Sequence, residues 1–212
     1  MEGNILESAG WTSGVLRICD WISKFAYINL LWIFFTLIGF IIFGIAPSTV
    51  ALFSIVRKWI MGEHNISIFS SFWNVYKSEF KKANILWGTL LCIIGFMYID
   101  LVLINSMQGI LHYIFLTCFV IMTFIFSIVL IYIFPVYVHL EGSILQYYKS
   151  AILLGTSFPF RTFTMILAVV TGILIGLIFP GVALLFFGSG VAFVLMYLSY
   201  SIFASMNLST NS

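Results

Sequence analysis

Four stretches of this chain contain no Asp, Glu, Lys or Arg: residues 25–56, 83–99, 101–140 and 162–212, together 140 of its 212 residues. Runs of that length and apolarity leave few options, because a soluble fold has no way to cover them. Hydrophobic residues make up 62% of the chain and charged residues 8%, against roughly 25% charged in an average soluble domain. Nine basic and seven acidic side chains cannot solvate a protein of this size, so the chain reads as an integral membrane protein. A net charge of +2 makes no case for nucleic acid, whose phosphates call for a strongly basic surface.

A helix rising 1.5 Å per residue needs about 20 apolar residues to cross roughly 30 Å of hydrocarbon. Five spans are predicted, within a range of four to six: residues 25–45, 83–104, 110–134, 162–179 and 182–205. The breaks fall at Ala46-Pro47, at Asn105 to Gly109, and at Phe179-Pro180-Gly181, with Pro135 near the end of the third span. The predicted fold is an all-α polytopic helix bundle. Residues 1–24 precede it as an amphipathic pre-helix and 207–212 follow as a tail. Glu2 and Glu7 occupy the place of a positive n-region, so the first residues are not read as a secretory signal.

Orientation rests on Lys and Arg in the short connections. Arg57, Lys58, Lys77, Lys81 and Lys82 lie between spans one and two, and Lys149 and Arg161 between spans three and four. Arg17 and Lys24 fall on the opposite side of that count. The excess puts the basic segments in the cytoplasm, the N-terminus outside and the C-terminus inside. If residues 25–56 re-enter instead of crossing, the N-terminus moves inside.

Three segments read as amphipathic helices lying along the cytoplasmic face. Residues 67–82 set Phe69, Phe72, Trp73, Tyr76 and Phe80 against a Ser, Asn and Lys back, which reads as a lipid anchor, with the docking of a partner as the rival reading. Residues 47–61 begin with Pro47 in a first turn and carry Arg57 and Lys58 near their end. Residues 143–157 form the third. In the pre-helix, Arg17, Asp20 and Lys24 share one face and Trp11, Val15, Ile18, Ile22 and Phe25 the other, with Asp20 and Lys24 in the favourable i,i+4 order. Spans one and three each lead into a proline, an amphipathic stretch and a further span, which suggests an internal repeat whose two units run in parallel.

Certain residues in this pattern carry a resemblance: Asn29-Leu30-Leu31-Trp32, Ala46-Pro47-Ser48-Thr49-Val50-Ala51-Leu52, Arg57-Lys58-Trp59, Gly62-Glu63, and Phe72 to Phe80-Lys81-Lys82. Residues 29–82 thereby resemble the YesL family of small bacterial multi-pass membrane proteins, defined by a domain of unknown function. Phe134-Pro135 and Glu141 resemble its weaker later pattern, and Ala46 stands where such families usually show glycine. The resemblance implies a bacterial cytoplasmic-membrane protein linked with carbohydrate uptake of the ABC type. It carries over no activity and no catalytic residue.

The candidate functional or interface residues are Pro47, Arg57, Lys58, Glu63, Lys77, Lys81, Lys82, Asp100, Pro135 and Glu141. Two pairs, Glu63-His64 and His139-x-Glu141, together offer four donors suited to zinc or iron. Neither has metalloprotease helix spacing, and solvated ends of helices explain them as well, so no metal or cofactor is assigned. Asp100, the one acid within a span, reads as a snorkelling anchor at the far surface, where Asn105 and His112 could join it. Gly172-x-x-x-Gly176 permits close packing against a neighbouring span or, less directly, dimerisation. Cys19, Cys92 and Cys118 form no metal or redox spacing and are expected to be buried as small hydrophobes. The function read from the chain is that of a non-catalytic accessory membrane protein whose partners are the lipid bilayer, ABC-type sugar transporter subunits and, in the alternative, a second copy. A small permease is the rival reading.

Overall fold

The computed structural model describes the backbone of residues 2–210 and the side chains of residues 16–205. The roles read for Glu2, Glu7, Trp11, Val15 and the 207–212 tail fall outside the described side chains. Seven helices follow one another: α1 Glu2–Ile38, α2 Ile45–Ile60, α3 Ile68–Ser106, α4 Ile110–His139, α5 Ile144–Ser157, α6 Pro159–Ile178 and α7 Pro180–Thr210. Five are long and apolar enough to cross a membrane, namely Leu16–Ile38 of α1, all of α3, α4 and α6, and Pro180–Ser205 of α7. Helices joined by short connections, with no strand, make up the described residues, and a helix satisfies its own backbone groups without water. The chain is a multi-pass membrane protein of the expected class.

The helix boundaries depart from the expected ones at the first span. Residues 25–45 do not form one helix, because α1 stops at Ile38 and the chain reverses through Gly39 to Gly44. A Cβ on Gly39 would run into the backbone of Gly44, and one on Gly44 into the carbonyl of Thr36. Phe40 and Ile41 take left-handed φ values of 53° and 64°, a conformation that non-glycine residues avoid. The turn exposes Phe40, Ile41, Ile42 and Phe43 and contains no polar side chain.

Beyond the turn, α2 folds back along α1. Trp32 Nε1 donates to Thr49 Oγ1 at 3.0 Å, and Trp21 and Phe25 meet Trp59 with ring centroids 5.6 and 5.7 Å apart. Ten of the sixteen α2 residues are buried, Pro47 among them. This overturns the surface placement of residues 47–61: α2 packs against α1, α3, α4 and α7 and is part of the core. The polarity of Thr49 and Arg57 reflects bonds to other helices, and Ser48 is buried, so these residues do not mark a water-facing side.

Residues 67–82 and 83–104 are one helix, α3, with no break between them. Its 39 residues rise about 58 Å, well beyond the hydrocarbon thickness, so part of it extends past the crossing segment. The aromatic face does not lie wholly against lipid either. Phe72 and Tyr76 are buried, with Phe35 of α1 wedged against both at 5.2 and 5.0 Å. Phe69, Trp73 and Phe80 remain exposed at its edge.

The α4 helix continues through Pro135, which is buried, to His139. There the chain turns and α5 runs back along α4, with Tyr147 beside Tyr137 and Gly155 against Ile128 and Tyr132. A capping box formed by Ser143 and Gln146 starts α5. Phe179 alone separates α6 from α7, and the two pack as a hairpin in which Gly172 faces Val191 and Phe187, and Gly176 faces Ala183. The Gly172/Gly176 motif therefore serves packing within the chain. Finally, α7 lies antiparallel to α1. Asn29, buried in the apolar part of α1, donates to the Leu184 carbonyl at 2.8 Å and accepts from the Ser189 N–H at 2.9 Å.

Two smaller expectations also change. Cys19, Cys92 and Cys118 are exposed, since they sit on outward helix faces where a thiol meets an apolar bilayer as readily as a core. In the pre-helix, Lys24 pairs with Asp20 at 2.8 Å, but Ile18 and Ile22 are exposed and Trp21 makes the contact with α2.

Candidate functional site

The open ends of three hairpins, α1–α2, α3–α4 and α6–α7, meet around one polar junction. From α2 comes Arg57, whose Nε donates to His139 Nδ1 of α4 at 3.4 Å. That contact makes Nδ1 an acceptor, so the His139 ring is neutral with its proton on Nε2. The other face of the ring lies flat on Phe203 of α7, centroids 4.0 Å apart and 3° from parallel. From α3 come Glu79 and Lys82, one helical turn apart. Tyr137 donates its hydroxyl to Glu79 Oε2 at 2.6 Å. Lys82 Nζ donates to the Tyr147 hydroxyl at 2.7 Å and lies 5.3 and 5.1 Å from the Tyr137 and Tyr147 ring centroids. The Gly142 N–H adds a second donor to Tyr147 at 3.2 Å.

These groups surround a cavity of about 280 Å³, whose wall also includes Ser54, Ser78 and Glu141. Its polar groups are largely engaged with one another. Ser78 donates to the Val75 carbonyl, and His139 is held between Arg57 and Phe203. Among the described residues no hydroxyl or thiol is hydrogen-bonded to a histidine or carboxylate in the manner of an activated nucleophile; the one such bond, from Tyr137 to Glu79, involves a buried phenol held inside the packing. Nor do three His, Cys, Asp or Glu residues gather anywhere in the described chain. Glu63 and His64 occupy an exposed loop, with the His64 ring edge-on to Trp21, while His139 and Glu141 belong to the junction. The two His/Glu pairs thus do not converge on a common ion.

Of the residues singled out in the sequence, Arg57, Lys82 and Glu141 come together here. Lys58 is half-buried outside the cavity, and Lys77 and Lys81 stand exposed beside Trp73 and Phe80. Pro47 and Pro135 are buried packing residues. Asp100 lies at the far end of the α3–α4 hairpin, in a separate cavity of about 190 Å³ with Met107 and Cys118. It is not joined by His112, whose Nδ1 pairs with the Ile104 carbonyl. Glu79, Tyr137 and Tyr147 were not singled out. The available signal was Glu79 as the lone acid among Lys77, Lys81 and Lys82, one turn from Lys82.

The junction corrects the charge count across the membrane. Trp21 touches Trp59 and His64, and Lys24 lies over Trp21. Lys24 and the Arg57-Lys58 pair therefore share one end of the α1–α2 hairpin, not opposite surfaces. The folded-back α2 is responsible: it returns the chain to the side from which α1 set out.

A model of the family described as "Protein of unknown function, DUF624" matches residues 25–101. The chain is 39% identical over 198 residues to the uncharacterised protein YteU of Bacillus subtilis (strain 168), covering 93% of this chain and 88% of that one. It is 32% identical over 196 residues to the uncharacterised protein YesL of the same organism, covering 92% of each. A third relative there, the uncharacterised protein YesV, is 32% identical over 156 residues, 74% of this chain and 75% of its own. No solved structure matches. The family match takes in Asn29, Trp32, Arg57, Glu79 and Lys82, and stops before α4.

Proposed function

The chain belongs to the DUF624 family, the family of YesL and YteU, and from that premise we propose that it is a non-catalytic accessory protein of the bacterial cell membrane, working through the permease subunits of an ABC-type carbohydrate-uptake system. The carbohydrate link comes from the family resemblance alone. The observation that supports an accessory role is the internal pairing of the junction. Arg57 is bonded to His139, Lys82 to Tyr147 and Tyr137 to Glu79, while Lys77 and Lys81 project beside exposed Trp73 and Phe80. Exposed aromatic residues suit a protein contact at the membrane surface, with the lysines at its polar rim. The basic residues gathered at the hairpin ends face the cytoplasm by the positive-inside rule, which puts the N-terminus inside with them.

Crosslinking in native membranes followed by identification of co-purifying chains tests this. ABC-type permease subunits should be recovered, with yield at least fivefold lower for the Lys77→Glu, Lys81→Glu double variant. Recovery of self-contacts alone overturns the reading. A small permease is the second reading, favoured by the polar cavity at the junction; uptake of a labelled sugar by the purified protein in liposomes, without partners, would establish it in place of the first.

A further inference from the structure

The α6–α7 hairpin carries an apolar groove of about 530 Å³ between its helices, floored by Ala168, Gly172, Gly176 and Ala183. The groove runs along one face of α6: residues 164, 168, 171, 172 and 175 recur at helical spacing. Arg161 belongs to the same face, three residues before Thr164 and seven before Ala168. From residue 161 to residue 176 the helix rises about 22 Å, most of the roughly 30 Å hydrocarbon thickness. The groove is open to the bilayer, so lipid chains will fill it whatever the headgroup. Selectivity has to come from its polar end.

The groove's lining stops at Thr164, and one turn before it on α6 stands a cation, Arg161. Arg161 Nη1 is buried and has no hydrogen-bond partner among the described residues. Its guanidinium lies 5.6 Å from the Phe158 ring, which supplies a face but no anion. No Asp or Glu occurs after Glu141, so α5, α6 and α7 offer no carboxylate to neutralise it. A buried N–H without an acceptor is costly, and Arg161 is only partly buried, so a phosphodiester can approach its planar guanidinium fork from the bilayer side. The exposed Tyr197 of α7 lies towards the same end of the hairpin.

We infer that the α6–α7 face is a binding site for one anionic phospholipid, its phosphodiester held by Arg161 and one acyl chain laid along the groove to Gly176. The site is independent of the docking reading above, since it needs no protein partner.

Native mass spectrometry of the protein released from nanodiscs of equal phosphatidylglycerol and phosphatidylcholine tests it. The wild-type protein should retain one phosphatidylglycerol at least fivefold over phosphatidylcholine. Arg161→Gln should bring that ratio near one, Arg161→Lys should keep only part of it because the fork is lost, and Lys149→Gln, an exposed cation on α5, should leave it unchanged. Ala168→Phe, which fills the groove, should abolish the retained lipid altogether. Equal retention of the two lipids by the wild-type protein overturns the proposal and requires no variant to fold. An unchanged ratio in Arg161→Gln does the same, as do dimers that Ala168→Phe dissociates with no headgroup preference.

Discussion

Two helices fold back against the one before them, and they do so from opposite circumstances. The α2 helix begins at an apolar turn and runs toward the polar junction, and ten of its sixteen residues are buried. The α5 helix begins at the junction and runs away from it, and four of its fourteen residues are buried. Their starts differ accordingly. In a turn whose side chains, Phe40 to Phe43, are all apolar, the orphan groups are met by backbone: Ile41 N–H bonds to the Thr36 carbonyl at 2.9 Å and Ile45 N–H to the Ile41 carbonyl at 2.9 Å. This closure requires two glycines and two left-handed residues. At α5 a Ser143–Gln146 capping box suffices. The lesson is that a reversal inside apolar surroundings is bound by backbone geometry, whereas one at a polar end is bound by exchangeable side chains.

Substitutions at the two starts should break that comparison most sharply. Gly44→Val drives a side chain into the Thr36 carbonyl and should cost about 3 kcal/mol, the upper range for overpacking; thermal unfolding in detergent micelles should show a loss of folded protein or a large drop in midpoint. The next largest effect belongs to Asn29→Leu, which removes both bonds to α7. A loss of about 1–2 kcal/mol is expected from bonds of this kind in membranes, read as reduced resistance to denaturing detergent.

The junction that joins the two halves can be weighed by a double-mutant cycle on Lys82→Gln and Tyr147→Phe. Their coupling should be about 1 kcal/mol, as for a charge-assisted hydrogen bond that is half-exposed; independent effects would show that α3 and α5 are not tied there. The smallest change is expected from Gly142→Ala. Its Cβ would meet only the end of the Gln146 side chain, and rearranging the capping box should cost roughly 0.5 kcal/mol. A Gly142→Ala effect as large as that of Gly44→Val would erase the distinction between the two starts.

Much of the helix inventory was legible before any fold was known. Hydropathy and length are read along the chain, and a bilayer imposes both on each helix separately. The same logic failed for residues 47–61, because a 16-residue helix is too short to register as a span and its polar residues mimic a surface face. Ser48 and Thr49 instead lie inside the packing, with Thr49 accepting from Trp32. The candidate site was legible only in pieces. Arg57 and Lys82 stood out by charge, whereas Glu79 and Tyr147 acquired meaning from partners 58 and 65 residues away.

Sequence alone determined that this protein resides in a membrane, that it is helical, and that its basic residues are confined to a few stretches, since each follows from the cost of placing charge and unpaired backbone in hydrocarbon. Tertiary structure decided which stretches lie together. The reversal at Gly39 to Gly44 brings Lys24 to the same hairpin end as Arg57, and the long reach from α2 to α4 sets Arg57 against His139. Such choices depend on steric closure and on pairings between distant residues, quantities that no local count of charge or hydropathy contains.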